Sequence, residues 1–148
     1  MAAHGSFWPA IHEQAASDRL AKTLAGTPWS ARYARGPGGQ PAVEIYEAGR
    51  LTDIIVATRI AAQILRGARR ARGGRGMLGL AWGRLPADGR RVSVAFAGGW
   101  PRRVAVPAEA CEIAGLAWLA TSHGRFAAVS VVHNGSCEQL ALQARRLW

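Results

Sequence analysis

Bulky apolar residues alternate with small ones along the second half of the chain. Residues 92–97 read Val-Ser-Val-Ala-Phe-Ala, and residues 128–131 read Ala-Val-Ser-Val. A period of two is that of a β-strand, in which successive side chains point to opposite faces of the sheet. Charged residues are almost absent from these segments, whereas a sheet with one face in water would carry them at alternate positions. The pattern therefore predicts strands whose two faces are both covered.

These strands belong to a repeat. The tetrapeptide Gly-Leu-Ala-Trp at residues 79–82 recurs at residues 115–118, a shift of 36 positions (115 minus 79). Further matches pair residues 92–94 with 129–131, 98–99 with 134–135 and 104–106 with 140–142. We predict two tandem three-stranded β-meanders over residues 77–148. Trp82 and Trp118 occupy matched positions on the bulky face, which favours a place in the core over a role as a stacking platform.

A competing interpretation makes residues 108–120 a helix, which alanine, glutamate and leucine favour by propensity. The repeat argues against a helix from Gly115 onward, because the equivalent stretch at Gly79 has the pattern of a strand. A single helical turn near Glu109 remains compatible with the repeat.

Residues 51–76 carry a helical pattern. Thr52 and Asp53 can cap a helix that runs to about Arg72 and is stopped by Gly73 and Gly74. Apolar residues recur there at helical spacing, namely Ile54, Ala57, Ala61, Ile64, Leu65 and Ala68. We expect this alanine-rich stripe to pack on the small face of the sheet.

The N-terminal third predicts a second helix and a hairpin. Ser6 can cap a helix that begins near Pro9 and ends at Gly26. A hairpin follows, with strands at residues 29–35 and 43–46 around a turn at residues 36–39. The expected fold is α+β, with two N-terminal helices packed on an antiparallel sheet or barrel built from the two meanders. We expect a single domain over residues 1–148, made of residues 1–50, the arginine-rich helix at 51–76 and the duplicated segment 77–148.

The chain is strongly basic, with a formal net charge of +10. A positive field of this size attracts polyanions. Residues 66–75 contain no carboxylate and five arginines, namely Arg66, Arg69, Arg70, Arg72 and Arg75. Arg59 shares one face of the predicted helix with Arg66 and Arg70. A second cluster combines an aromatic ring with two charges: Trp100, Arg102 and Arg103. We predict that these nine residues bind nucleic acid, DNA or RNA, mainly through its backbone phosphates.

Three alternative functions stay open, beside two explanations of the arginines that need no ligand. An acidic protein surface would suit the same arginines, and arginines in a last helical turn also complement the helix dipole. Only Lys22 among the nineteen basic residues is lysine, so arginine content can also reflect GC-rich coding. The shortage of charge on the strand faces, together with the apolar tail Leu147 and Trp148, predicts instead a structural subunit of a homo-oligomer or a larger complex. A ligand pocket between the two meanders is a third possibility.

No residue pattern indicates catalysis or a cofactor. Cys111, Cys137, His123 and His133 lack the spacing of a metal site, and His123 stands directly before a turn glycine. Neither a nucleophile elbow nor a pair of carboxylates is evident. Two cysteines in a chain of this length favour a reducing, cytoplasmic setting, and no apolar stretch is long enough to cross a membrane. We therefore predict a non-enzymatic protein without metal, cofactor or membrane segment.

Overall fold

The computed structural model describes residues 22–57, 63–99 and 104–144. These residues form thirteen β-strands and one short 3-10 helix, and they contain no α-helix. The α+β prediction is therefore wrong, because the described part of the chain is all-β. The helix predicted from Pro9 lies almost wholly outside the described residues.

The first sheet contains four antiparallel strands in the order β1-β2-β3-β4. They are β1 (Lys22–Thr23), β2 (Trp29–Arg35), β3 (Pro41–Glu47) and β4 (Arg50–Val56). The 3-10 helix Pro37–Gly39 joins β2 to β3. The predicted hairpin is confirmed, and it gains β4 as a third long strand in its own sheet.

A five-stranded sheet lies at the centre, in the order β13-β5-β6-β10-β9. Its strands are β5 (Leu65–Gly73), β6 (Gly76–Arg84), β9 (Cys111–Ile113), β10 (Ala117–His123) and β13 (Gln143–Ala144). All pairings are antiparallel except that of β13 with β5. The third sheet has the order β12-β11-β7-β8, with β7 (Ser93–Ala97), β8 (Ala105–Ala108), β11 (Ala128–His133) and β12 (Ser136–Ala141).

The central sheet is buried on both faces. Leu80, Trp82 and Leu119 pack with Trp29 and Ile45 of the first sheet in one hydrophobic cluster. The opposite face forms a second cluster with the third sheet: Ala68, Ala81, Trp118, Ala120, Val94, Phe96, Val129 and Val131. The expectation that both faces are covered is confirmed for β6 and β10, where β-sheets and no helix among the described residues cover them. It is wrong for β7 and β11, because Ser93 and Val132 on the outer face of the third sheet are exposed.

The repeat is real, and its unit is longer than predicted. Strands β5 to β8 form one unit and β9 to β12 the other; each places a hairpin in the central sheet and then a hairpin in the third sheet. The units meet through the β6-β10 and β7-β11 pairs, so both strand orders are symmetric about those contacts. The prediction of two three-stranded meanders is wrong, because the first strand of each predicted unit lies in the central sheet and the other two lie in the third sheet.

Both tryptophans of the repeat are buried, as predicted, but on opposite faces of the central sheet. In the β6-β10 register Trp118 is opposite Gly83 and Trp82 is opposite Leu119. The relative exposure is 3% for Trp82 and 0% for Trp118. Each ring therefore anchors a different one of the two cores.

The predicted helix at residues 51–76 is wrong. Residues 50–56 form β4 and residues 65–73 form β5, with residues 58–62 outside the described part. Strand propensity from Thr52, Ile54, Ile55 and Val56 competes with the apolar spacing of three and four, and burial between sheets decides the outcome. Residues 108–120 also form strands, β9 and β10, as the repeat indicated, and the helical turn near Glu109 is absent.

Candidate anion-binding site

The strand conformation of β5 separates the arginines that a helix would have placed on one face. Residues two apart on a strand share a face. Arg70 and Arg72 therefore lie on the side of the third sheet, whereas Arg69 lies on the side of the first sheet. A bulge between Leu65 and Gly67 leaves Arg66 as an extra residue. The predicted arginine-rich helix with its continuous basic face is therefore wrong, and its arginines form two groups on opposite faces of β5.

Arg66 is held by Asp53 of β4. Its Nε donates to Asp53 Oδ2 and its Nη2 to Asp53 Oδ1, both at 3.1 Å. Trp82 Nε1 donates to the same carboxylate at 2.9 Å. Burial raises the pKa of Asp53, but the hydrogen bonds from Arg66 and Trp82 outweigh it, so that pKa lies below its ordinary value. The ion pair joins the first sheet to the central sheet and leaves Arg66 less able to bind an external phosphate.

Arg69 lies at the same junction. Its Nη1 donates to Gln143 Oε1 of β13 at 2.9 Å. Together with Thr52, Asp53, Arg66 and Trp82 it lines a cleft of about 310 Å³. The charges in this cleft are largely satisfied within the protein, because Asp53 pairs with Arg66.

Arg70 and Arg72 meet a third arginine across a smaller cleft. Arg125, in the loop between β10 and β11, lines the opposite side of a space of about 190 Å³. Met77, Gly124 and Phe126 also line this space, and no carboxylate among the described residues does. Within the described part of the chain, none of these three arginines pairs with an acidic side chain. We call Arg70, Arg72 and Arg125 the arginine cleft.

The backbone fixes the position of Arg125. The N–H of Gly124 donates to the carbonyl oxygen of Met77 at 2.9 Å, and Met77 is the register partner of Arg72. Gly124 has φ +146, and a Cβ there would stand 2.9 Å from Phe126 Cζ. Glycine therefore lets the loop close over the Phe126 ring and brings Arg125 beside Arg72.

Arg125 was not among the residues predicted from the sequence. It is 53 positions from Arg72 (125 minus 72), in a segment whose only signals are a turn glycine and the repeat. The pairing of β5 with β6 and of β6 with β10 brings the two together. The spacing of residues along the sequence does not indicate that contact.

Of the remaining predicted site residues, one lies near the arginine cleft and the others lie outside the described residues. Arg75 is exposed in the two-residue turn that joins β5 to β6, where Gly73 pairs with Gly76. The others fall on residues that the structure does not describe: Arg59, Trp100, Arg102 and Arg103.

The histidines and cysteines occupy separate places. His133 Nε2 and Asn134 Nδ2 each lie 2.9 Å from Asp88 Oδ2, which links the β11-β12 turn to the loop after β6. A hydrogen bond from the Arg90 N–H is the main reason that the pKa of Asp88 lies below its ordinary value. His123 ends β10 and is exposed, and both cysteines are free thiols. The described residues bring together no group of three or more His, Cys, Asp or Glu side chains able to hold a metal ion.

Comparisons with protein-family models, with curated proteins and with solved structures find no match for this chain. In residues 22–57, 63–99 and 104–144, no helix has the length and apolar character needed to span a membrane.

Proposed function

We propose that this protein is a non-enzymatic, basic accessory domain that binds nucleic acid through its phosphates at the arginine cleft. The observation that carries the proposal is the meeting of Arg70, Arg72 and Arg125 around one cleft, to whose lining the described part of the chain contributes no carboxylate. Guanidinium groups present several N–H donors in a planar fork that matches phosphate oxygens. Arg75 extends the positive surface at the tip of the adjoining hairpin.

The charge of the whole chain supports the same function. A formal net charge of +10 attracts a polyanion before contact, and the cleft then supplies close donors. The predicted contacts of Arg59, Trp100, Arg102 and Arg103 stay part of this proposal as an additional surface.

Salt dependence of binding tests the proposal. With one phosphate held by Arg70, Arg72 and Arg125 and a second at Arg75, log affinity for duplex DNA should fall with log salt at a slope of about −1.8. Fluorescence anisotropy with labelled DNA and RNA between low and moderate salt measures it. Replacing Arg70, Arg72 and Arg125 together by alanine should bring the slope to about −0.9.

A matched control removes the same charge elsewhere. Arg50, Arg90 and Arg91 are exposed and do not line the cleft, so their triple alanine variant should keep most of the slope. Absence of binding to both DNA and RNA at low salt would overturn the proposal. Equal losses in the two triple variants would show a diffuse charge effect instead of a site.

A second candidate function is that of a structural or assembly subunit, which the outer face of the third sheet favours. The residues that alternate with its buried positions carry no charge among the described strands: Ser93, Ala95, Ala97, Ala105, Pro107, Ala128, Ser130, Val132, Cys137, Gln139 and Ala141. We propose that a second copy of the chain covers this face. Light scattering at micromolar concentration should then give twice the monomer mass, and Ser130→Glu should restore the monomer. A monomeric parent protein would rule this candidate out.

We propose a cytoplasmic setting for either function. Cys111 and Cys137 are both free thiols, which is what a reducing compartment maintains. An acidic protein surface remains the alternative partner for the cleft, and an acidic peptide that outcompetes the oligonucleotides would favour it.

A further inference from the structure

The arginine cleft is small. Its volume of about 190 Å³ is below the roughly 300–1,000 Å³ of pockets that enclose a whole drug-sized ligand. Arginines approach it from two elements, β5 on one side and the β10-β11 loop on the other. A space of this size and shape suits a single phosphoryl group better than a run of backbone phosphates.

The charge in the cleft exceeds what one internal phosphate carries. A phosphodiester within a strand bears one negative charge. Three arginines line this cleft, and residues 22–57, 63–99 and 104–144 add no acidic side chain to its lining. A phosphomonoester bears about −1.5 to −2 near neutral pH and offers three strong acceptor oxygens. Three guanidiniums therefore match a terminal phosphate more closely than an internal one.

The floor of the cleft is apolar and rigid. Phe126 is 9% exposed, and its ring packs on Phe96 with centroids 5.3 Å apart. A ring held in this way is part of the core, and Met77 beside it is half-buried. An apolar floor strengthens hydrogen bonds from arginine to phosphate by reducing the local dielectric. It offers no donor or acceptor to read a base.

We propose that the arginine cleft binds the terminal phosphomonoester of a nucleic-acid strand, independently of its sequence. The inference rests on the proposed function, because it assigns the end of the strand to the same three arginines. Internal phosphates then contact only the surrounding basic surface, including Arg75.

The test uses single-stranded oligonucleotides of one sequence that differ only at their ends. One carries a 5′-phosphate, one a 3′-phosphate and one a hydroxyl at both ends, each with an internal fluorophore. At least one phosphorylated strand should bind tenfold or more tightly than the hydroxyl-ended strand. Arg125→Ala should abolish this difference, and Arg125→Lys should retain part of it.

Arg75→Ala is the matched control, because Arg75 is exposed on the neighbouring turn and does not line the cleft. It should weaken binding of all three strands by the same factor and keep their ratio. Thermal unfolding of each variant verifies that the fold is intact.

The outcomes separate this inference from the proposed function. Salt-dependent binding with equal affinity for all three strands would overturn the inference and leave nucleic-acid binding standing. If no strand binds, the proposed function and the inference both fail, and an NMR titration decides only whether the cleft is a phosphate site. A nucleoside 5′-monophosphate should then shift the backbone amides of Arg72, Gly124 and Arg125, while the unphosphorylated nucleoside should not; absence of those shifts excludes a phosphate site.

Discussion

Asp53 joins three segments of the chain through one carboxylate. It accepts hydrogen bonds from the Arg66 guanidinium of β5, from the Trp82 indole of β6 and from the N–H of Ile54 beside it. Its side chain is 21% exposed, so these bonds are partly shielded from water. The carboxylate therefore fixes the first sheet against the central sheet at this edge.

Asp53→Asn should lower the free energy of unfolding by about 1–3 kcal/mol, because the amide cannot accept from both Arg66 and Trp82 with the same strength. Urea unfolding followed by tryptophan fluorescence measures the change. Glu109→Gln is the control, since Glu109 pairs with Arg91 at 4.0 Å and its side chain is 85% exposed. The control should cost less than about 1 kcal/mol. Equal costs would contradict a special role for Asp53.

The same carboxylate predicts a pH dependence. Burial raises the pKa of Asp53, but hydrogen bonds from Arg66 and Trp82 lower it by more than burial raises it. The pKa in the folded protein therefore lies below that in the unfolded chain. Ionised Asp53 thus stabilises the fold above the unfolded pKa of about 3.9, and this contribution disappears as pH falls through the lowered folded value. Urea unfolding between pH 6 and pH 3 should show a steeper loss for the parent protein than for Asp53→Asn. Parallel curves would rule this linkage out.

Two glycines allow close packing at the central sheet: Gly67 lies against the Trp82 ring, and Gly83 lies against the backbone of Ile64. A Cβ at Gly67 would stand 2.2 Å from Trp82 Cζ2, and one at Gly83 would stand 1.7 Å from the carbonyl oxygen of Ile64. The Trp82 ring can lie across β5 only because Gly67 has no side chain. Strand β5 and the segment before it therefore depend on glycine for close packing.

Gly67→Ala should destabilise the protein by about 1–3 kcal/mol, because the methyl group displaces a buried indole. Gly74→Ala on the same hairpin is the control, since a Cβ there meets nothing within 4 Å. That change should stay within about 0.5 kcal/mol. Chemical unfolding gives both values, and the Trp82 indole N–H resonance should shift only in Gly67→Ala. A harmless Gly67→Ala would show that the ring does not lie over β5.

Glu138 shows how one side chain can connect two sheets at the level of strands. From β12 of the third sheet, its carboxylate accepts hydrogen bonds from the N–H groups of Ile64 and Leu65 at 3.0–3.3 Å. Leu65 is the first residue of β5 in the central sheet, and Ile64 directly precedes it. The carbonyl oxygen of Ile64 in turn accepts from Trp118 Nε1 at 3.2 Å and from the N–H of Arg84 at 3.0 Å. No buried side-chain nitrogen or oxygen among the described residues lacks a partner.

At the scale of the whole molecule, the described residues form three sheets on two cores, with the arginine cleft at one end of the central sheet. Its formal net charge of +10 opposes compaction, so an anion held in the cleft should stabilise the fold by binding and by relieving repulsion. The sheets explain why β6 and β10 carry so little charge: another sheet packs on each of their two faces.

Phosphate should raise the Tm of the parent protein more than chloride at the same ionic strength. At ten times its Kd, phosphate would contribute about 1.4 kcal/mol, which corresponds to about 3–6 °C for a domain of this size. Differential scanning fluorimetry measures the difference. It should disappear in a variant with Arg70→Ala and Arg125→Ala, and persist in one with Arg90→Ala and Arg91→Ala. An identical response to the two salts in the parent protein would contradict a specific anion site.

The sequence by itself determined the strands of the repeat, the β2-β3 hairpin, the burial of Trp82 and Trp118 and the cover on both faces of β6 and β10. These are consequences of local alternation, which the pleat of a strand imposes on neighbouring residues. The segments at residues 50–56 and 65–73 carry apolar spacings that suit either a helix or a strand, so pairing with β3 and β6 decided them. Tertiary structure alone placed Asp53 on Arg66 and Arg125 beside Arg72, because residues far apart in sequence meet only when strands from different parts of the chain pair and stack.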